Sequence, residues 1–175
     1  MKLFVGKRVG ESVSMSVSKE ARELNRIDRN ILRILQEDGR LSYAELGRRV
    51  GLTTTPCIER VRRLENKGYI KGYKAIINPD YLDAGLIILV QVKCDRTSKA
   101  NFDEFRNSVR RLPQVQQCYL VSGSFDYLIK ARVANMQLYR EFLEQTLLSI
   151  PGVKESTSIV VMEATKETLD VSIPY

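Results

Sequence analysis

Residues 51–64 read GLTTTPCIERVRRL, and the fold of the chain turns on what this stretch is. A lone cysteine among three arginines suggests an activated thiol; a hydroxyl-rich start, a proline and an arginine-bearing run suggest the first turns of a DNA-reading helix. At about 100° per residue, Cys57, Ile58, Val61 and Leu64 fall on one arc of such a helix, with Thr55, Glu59, Arg62 and Arg63 mainly on the other. The cysteine therefore faces a core, where it acts as a small hydrophobe, and a reactive thiol would need exposure as well as nearby positive charge. Thr53, Thr54 and Thr55 offer hydroxyl caps, and Pro56 is tolerated because first-turn amides lack intrahelical partners.

The flanking text agrees with a helix-turn-helix. Leu24, Ile27, Ile31, Ile34 and Leu35 recur at helical spacing, so NRIDRNILRILQE is expected to form an amphipathic helix ending near Gly39. Ser42 and Glu45 have capping-box spacing for a second helix that Gly51 stops. After Lys67-Gly68, YIKGYKAII reads as a small hairpin around Gly72, closed by Asn78-Pro79. Three helices and a hairpin describe a winged helix-turn-helix over residues 24–79.

Beyond it the pattern changes. LIILVQVKC (86–94), VQQCYLVS (115–122), DYLIKARV (126–133) and VKESTSIVVME (153–163) read as strands. Helical spacing covers 101–112 and a second helix capped near Asn135. The order βαββαβ packs as an antiparallel sheet with both helices on one face, a ferredoxin-like domain, so the fold class is α+β. The expected domains are a basic tail at 1–23, the winged helix-turn-helix at 24–79, a linker at 80–85 and the second domain at 86–175. RNA-binding modules share this topology but stack bases on aromatics of their central strands. Here the first strand carries none and the third only Tyr127, so the second half is not read as an RNA platform.

Charge separates the halves. Met1 to Lys74 holds 17 Lys/Arg against 9 Asp/Glu, a balance of +8, whereas Ala75 to Tyr175 holds 11 against 12. The basic half suits a polyanion partner. With no histidine and no CxxC, neither a metal site, a cofactor nor common nucleophilic catalysis is expected, and no enzyme is read here. Three dispersed cysteines argue for a reducing compartment, the cytoplasm, and no apolar run approaches the roughly 20 residues of a membrane span.

On double-stranded DNA, Thr53, Thr54 and Thr55 can reach phosphates or a thymine methyl, and Arg60, Arg62 and Arg63 phosphates or guanine edges. Arg48, Arg49, Lys71 and Lys74 would clamp the backbone. Glu59 is expected to pair with Arg63 four residues on, or to accept from cytosine.

The segments LNRIDRNILRILQEDGRLSYAELGRRVGL (24–52), TPCIERVRRLENKGYIKGYKAIINPDYLDAG (55–85), LVSGSFDYLIKARV (120–133) and LLSIPGVKESTSIVVME (147–163) resemble the Lrp/AsnC family of leucine-responsive and asparagine-responsive bacterial regulators, also called feast/famine proteins. The resemblance implies a cytoplasmic, nucleoid-associated transcription regulator. Its second domain would bind an amino-acid effector such as leucine and assemble dimers, through their sheets, into an octamer or larger ring. It also implies an effector site between dimers, to which Leu120, Gly123, Ser124, Asp126, Met136, Leu148, Ile159, Val160 and Val161 correspond. In that site Asp126 could hold the ammonium, the Gly123 and Ser124 amides the carboxylate, and Leu120, Met136 and Val160 the side chain. Ser124 stands where close leucine-responsive relatives carry an acid, and Thr54 replaces a common proline. The alternative function is a nucleoid-organising DNA-binding protein without an effector, and the alternative for Gly123 to Asp126 is an ordinary hairpin turn.

Overall fold

The computed structural model describes residues 24–95 and 99–174, so the expected basic tail at 1–23 lies outside the described residues. The described residues form two compact units, one of residues 24–75 with 168–174 and the other of residues 76–95 with 99–167.

In the first unit, α1 spans Arg26–Glu37, α2 Tyr43–Val50 and α3 Thr54–Asn66. Asn25 caps α1, its side chain accepting from the Asp28 amide at 2.9 Å. Ser42 caps α2 by accepting from the Glu45 amide at 3.2 Å, but Glu45 does not complete the box, because its carboxylate holds Arg48 and Arg49 instead. Gly51 takes the left-handed conformation, φ 74°, that ends α2, and the Leu52 amide donates back to the Gly47 carbonyl at 2.8 Å. A Cβ on Gly47 would sit 2.7 Å from the Leu52 carbonyl oxygen, so glycine is what lets the chain fold back so tightly before α3. Ile31, Leu46, Cys57, Val61 and Leu64 close the core where the three helices meet. The Cys57 thiol is pushed up by burial, as the core reading of that residue requires.

The expected hairpin at 69–77 is not formed. Tyr69 and Ile70 turn onto the helical core, and Tyr73 donates to Glu65 at 3.0 Å, while residues 70–78 pair with no strand among the described residues. Two pieces of four or so residues with little inward apolar surface cannot stabilise a hairpin alone; Ile76 is left 98% exposed. The wing is an irregular segment. Tail residues 168–174 return to this unit. The Gln36 side-chain amide exchanges two hydrogen bonds with the Val171 main chain (3.2 and 2.8 Å), and Arg33 donates to the carbonyls of Ile173 and Pro174 at 3.0 and 2.9 Å.

In the second unit, strands β1 (Leu86–Cys94), β2 (Val115–Leu120), β3 (Tyr127–Val133) and β4 (Val153–Val160) form one sheet in the order β2-β3-β1-β4, every pair antiparallel. Alternation sends Ile88, Val90, Val92 and Cys94 of β1 and Tyr127, Ile129, Ala131 and Val133 of β3 into a core shared with α4 (Lys99–Val109) and α5 (Met136–Phe142). Phe105 stacks on Tyr127 with ring centroids 4.4 Å apart. Asn135 caps α5 as expected, accepting from the Leu138 amide at 3.0 Å, and α5 continues as a wide turn over Leu143–Leu147. The βαββαβ order stands; β2 and β4 end earlier than their apolar text, and α4 begins and ends a few residues sooner. The opposite sheet face carries Leu89, Leu128, Tyr119 and Ile159, and there Glu167 pairs with Lys130 and, at 2.5 Å, with Arg132.

Candidate functional site

On α3, Cys57, Val61 and Leu64 are buried and Thr54, Thr55, Glu59, Arg62 and Arg63 are exposed, which places the hydroxyl and charged residues on the side away from the core. The arginines are not equivalent. Asp28 of α1, 1% exposed, receives Arg60 at 3.0 Å on one carboxylate oxygen and Arg63 at 2.6 Å on the other. A buried carboxylate must be paired, and these two guanidinium groups pair it. Arg62 is exposed with no ion pair among the described residues. The expected pairing of Glu59 with Arg63 is therefore corrected: Arg63 turns to Asp28, and Glu59 projects from the helix without a partner among the described residues.

Asp28 is the residue that sequence reading missed. Its signal was present, since Leu24, Asp28, Ile31 and Leu35 share the inward spacing of α1, with an acid where a hydrophobe is normal.

The other candidate DNA contacts surround this face. Thr53 is the N-cap residue of α3 without a side-chain capping bond, so its hydroxyl is available. Arg48 and Arg49 are exposed near the end of α2 and share Glu45 at 2.7 and 2.8 Å; their hydrogen bonds hold the Glu45 carboxyl down to about 2. Lys71 and Lys74 are exposed on the wing.

In the second unit the candidate effector residues divide. Leu120 ends β2 opposite Tyr127, which neighbours Val92, whereas Val160 of β4 lies opposite Ile88. The two are separated by three strand spacings and by four residues along β1, roughly 20 Å at sheet dimensions. Gly123, Ser124 and Asp126 lie at the Leu120 end. Ile159, Val160 and Val161 lie at the other, where β3 leads into Met136 at the start of α5. Leu148 follows the wide turn near the far end of α5. A single amino acid cannot touch both ends of one sheet.

Gly123 (φ 141°) and Ser124 are exposed, and their amides donate to nothing among the described residues. Asp126 is 4% exposed, and within one chain its carboxylate accepts from the Cys94 amide at 2.8 Å, which fastens the turn to β1. Burial pushes the neighbouring Cys94 and Cys118 thiols up to about 11. A cleft of about 340 Å³ lined by Asp83, Gln114, Arg132, Leu138, Glu141 and Gln145, among others, borders none of the nine positions. No cluster of metal-ligating side chains occurs among the described residues.

Residues 24–71 match the winged helix-turn-helix DNA-binding family and residues 87–171 the Lrp/AsnC ligand binding domain. The chain belongs to the Lrp/AsnC family. It is 50% identical over 153 residues to the leucine-responsive regulatory proteins of Klebsiella pneumoniae and Escherichia coli K12, covering 87% of this chain and 93% of each relative. A Neisseria meningitidis transcriptional regulator solved with L-methionine superimposes with TM-score 0.82 at 36% identity, covering 85% of this chain and 96% of that one. An AsnC family regulator of Agrobacterium tumefaciens gives the same TM-score at 32% identity, covering 85% and 97%. As a member of the Lrp/AsnC family, the chain is a DNA-binding transcription regulator with a ligand-binding domain. No helix among the described residues is long and apolar enough to cross a membrane.

Proposed function

We propose that α3 enters the major groove with Thr54, Thr55 and Arg62 toward bases or phosphates, while Thr53, Arg48, Arg49, Lys71 and Lys74 hold the backbone. The observation that carries this is the unequal fate of the arginines: Asp28 anchors α3 through Arg60 and Arg63 and leaves Arg62 outward. Arg60 and Arg63 then serve chiefly to set the helix. Replacing Arg62 with Ala lowers DNA affinity by about 1–3 kcal/mol if it reads a base, with the unfolding midpoint unchanged. An unaltered gel-shift titration removes Arg62 from the interface.

The second unit binds an amino acid of the leucine or methionine type in a pocket completed by another copy of the chain. Support comes from the relatives above and from the division of the nine positions between opposite sheet ends, which one ligand can join only across a subunit boundary. Leu120, Met136 and Val160 supply apolar lining, and the Gly123 and Ser124 amides take the carboxylate. Leu128, Tyr119 and Ile159 on the open sheet face suit dimerisation, and dimers then assemble into an octamer or larger ring in the cytoplasm, on nucleoid DNA. Calorimetry with leucine and methionine, run beside sedimentation, should show binding with a change in mass. One observation favours a second reading, a DNA-organising protein without an effector: Asp126 is committed to the Cys94 amide. Absence of heat and of mass change for every amino acid would select that reading.

A further inference from the structure

The geometry points to Glu59 as a specificity-determining residue that reads cytosine, and this rests on the reading that α3 enters the major groove. The meridian opposite the buried Cys57, Val61 and Leu64 passes within about 15° of Glu59 at 100° per residue, closer than to either Arg62 or Arg63. The most outward charge on a helix presented to a polyanion is thus negative. Its natural intrahelical partner, Arg63, is held by Asp28 at 2.6 Å, and no ion pair to Arg62, three residues on, occurs among the described residues.

An unneutralised carboxylate weakens contact with phosphates, so it is of use to a DNA-binding face only where it accepts a hydrogen bond. In the major groove the amino donors are cytosine N4 and adenine N6. Adenine sets its N7 acceptor beside that donor, which repels an acceptor-only carboxylate, and guanine offers only acceptors, so cytosine is the base that suits Glu59. Glu59 lies in the second turn of α3, within the N-terminal part of a recognition helix that meets base edges. Arg62 sits one turn further on and outward, suited to the guanine O6 and N7 edge of a neighbouring pair. Acceptor and donor, three residues apart, would together read a short G·C-containing step.

The chemistry of the replacement gives a sharp test. Glutamine bonds adenine N6 and N7 in the same groove. Selection of bound duplexes from a random library with the full chain, E59Q and E59A should then yield three different outcomes at one position per half-site. The wild type selects cytosine, E59Q shifts toward adenine, and E59A loses preference there, with discrimination falling by about 5- to 100-fold. Both variants should also bind non-specific DNA more tightly. The same selected sequence from all three proteins overturns the proposal while leaving α3 as the DNA-binding helix. A wild type that selects no sequence overturns both.

Discussion

Among the described residues each unit buries one carboxylate, and the two are used in opposite ways. Asp28 in the DNA-binding unit holds two side chains of another helix; Asp126 in the ligand-binding unit holds a main-chain amide of a neighbouring strand. The first fixes which face of α3 looks outward and engages two of its three arginines in ion pairs. The second fixes the end of a hairpin turn and leaves the glycine and serine of that turn exposed. In both cases a charged residue that looks functional in sequence, Arg63 or Asp126, has a structural partner, and its neighbours stay exposed.

The comparison can be broken from either side. Removing Asp28 carries the largest expected cost. Asp28→Ala deletes a carboxylate 1% exposed that pairs two guanidinium groups, themselves 27% and 48% exposed, so the loss is about 2–4 kcal/mol, below the full cost of breaking a wholly buried pair. Urea unfolding should show it, and Arg60→Ala and Arg63→Ala should each cost less. Equal stability of Asp28→Ala and the parent would mean that the arginines are not held.

Asp126 comes next. Asp126→Ala strands the buried Cys94 amide and should cost about 1–3 kcal/mol, whereas Asp126→Asn retains an acceptor and should cost less. If Asp126 instead served as the ammonium site, Asp126→Asn would abolish amino-acid binding at unchanged stability, and calorimetry beside urea unfolding separates the two.

The smallest effect is at the surface. Arg48 and then Arg49 hydrogen-bond Glu45 and bring its carboxyl from 4.5 to about 2. A depressed folded pKa contributes stability that is complete above about 4.5 and lost as pH falls toward 2. Thermal melts of the parent and Glu45→Gln should therefore differ above pH 4.5 and converge near pH 2. A constant difference across that window would remove the ion pair as its source.

Much of the architecture was legible because it rests on local rules. The 3.6-residue spacing of α1, the Ser42 and Asn135 caps, the left-handed Gly51 and the alternation in β1 and β3 each need only near neighbours. The missing wing hairpin was less legible: YIKGYKAII has β-prone residues, but pairing needs a surface to pack on, and this unit offers Tyr69 and Ile70 the helical core instead. Arg62 and Arg63 are identical letters in adjacent positions; only the fold of α1 against α3 brings Asp28 to one of them. Asp126 likewise reads in sequence as an ammonium site or a turn acid, and only the fold brings the β1 amide of Cys94, 32 residues away, beside it. The effector positions are the extreme case: Leu120 and Val160 stand at opposite ends of one sheet, and the contacts we propose to join them belong to more than one chain.

Central to all of this is linkage: an amino acid bound in the second unit must alter DNA binding by the first. DNA-binding isotherms of the full chain, recorded without effector and with saturating L-leucine or L-methionine, measure it directly. The expected result is a shift of the midpoint by about 5-fold or more, matched by an equal shift of amino-acid affinity when DNA is present. Superimposable isotherms, at concentrations where calorimetry shows the amino acid bound, would contradict it.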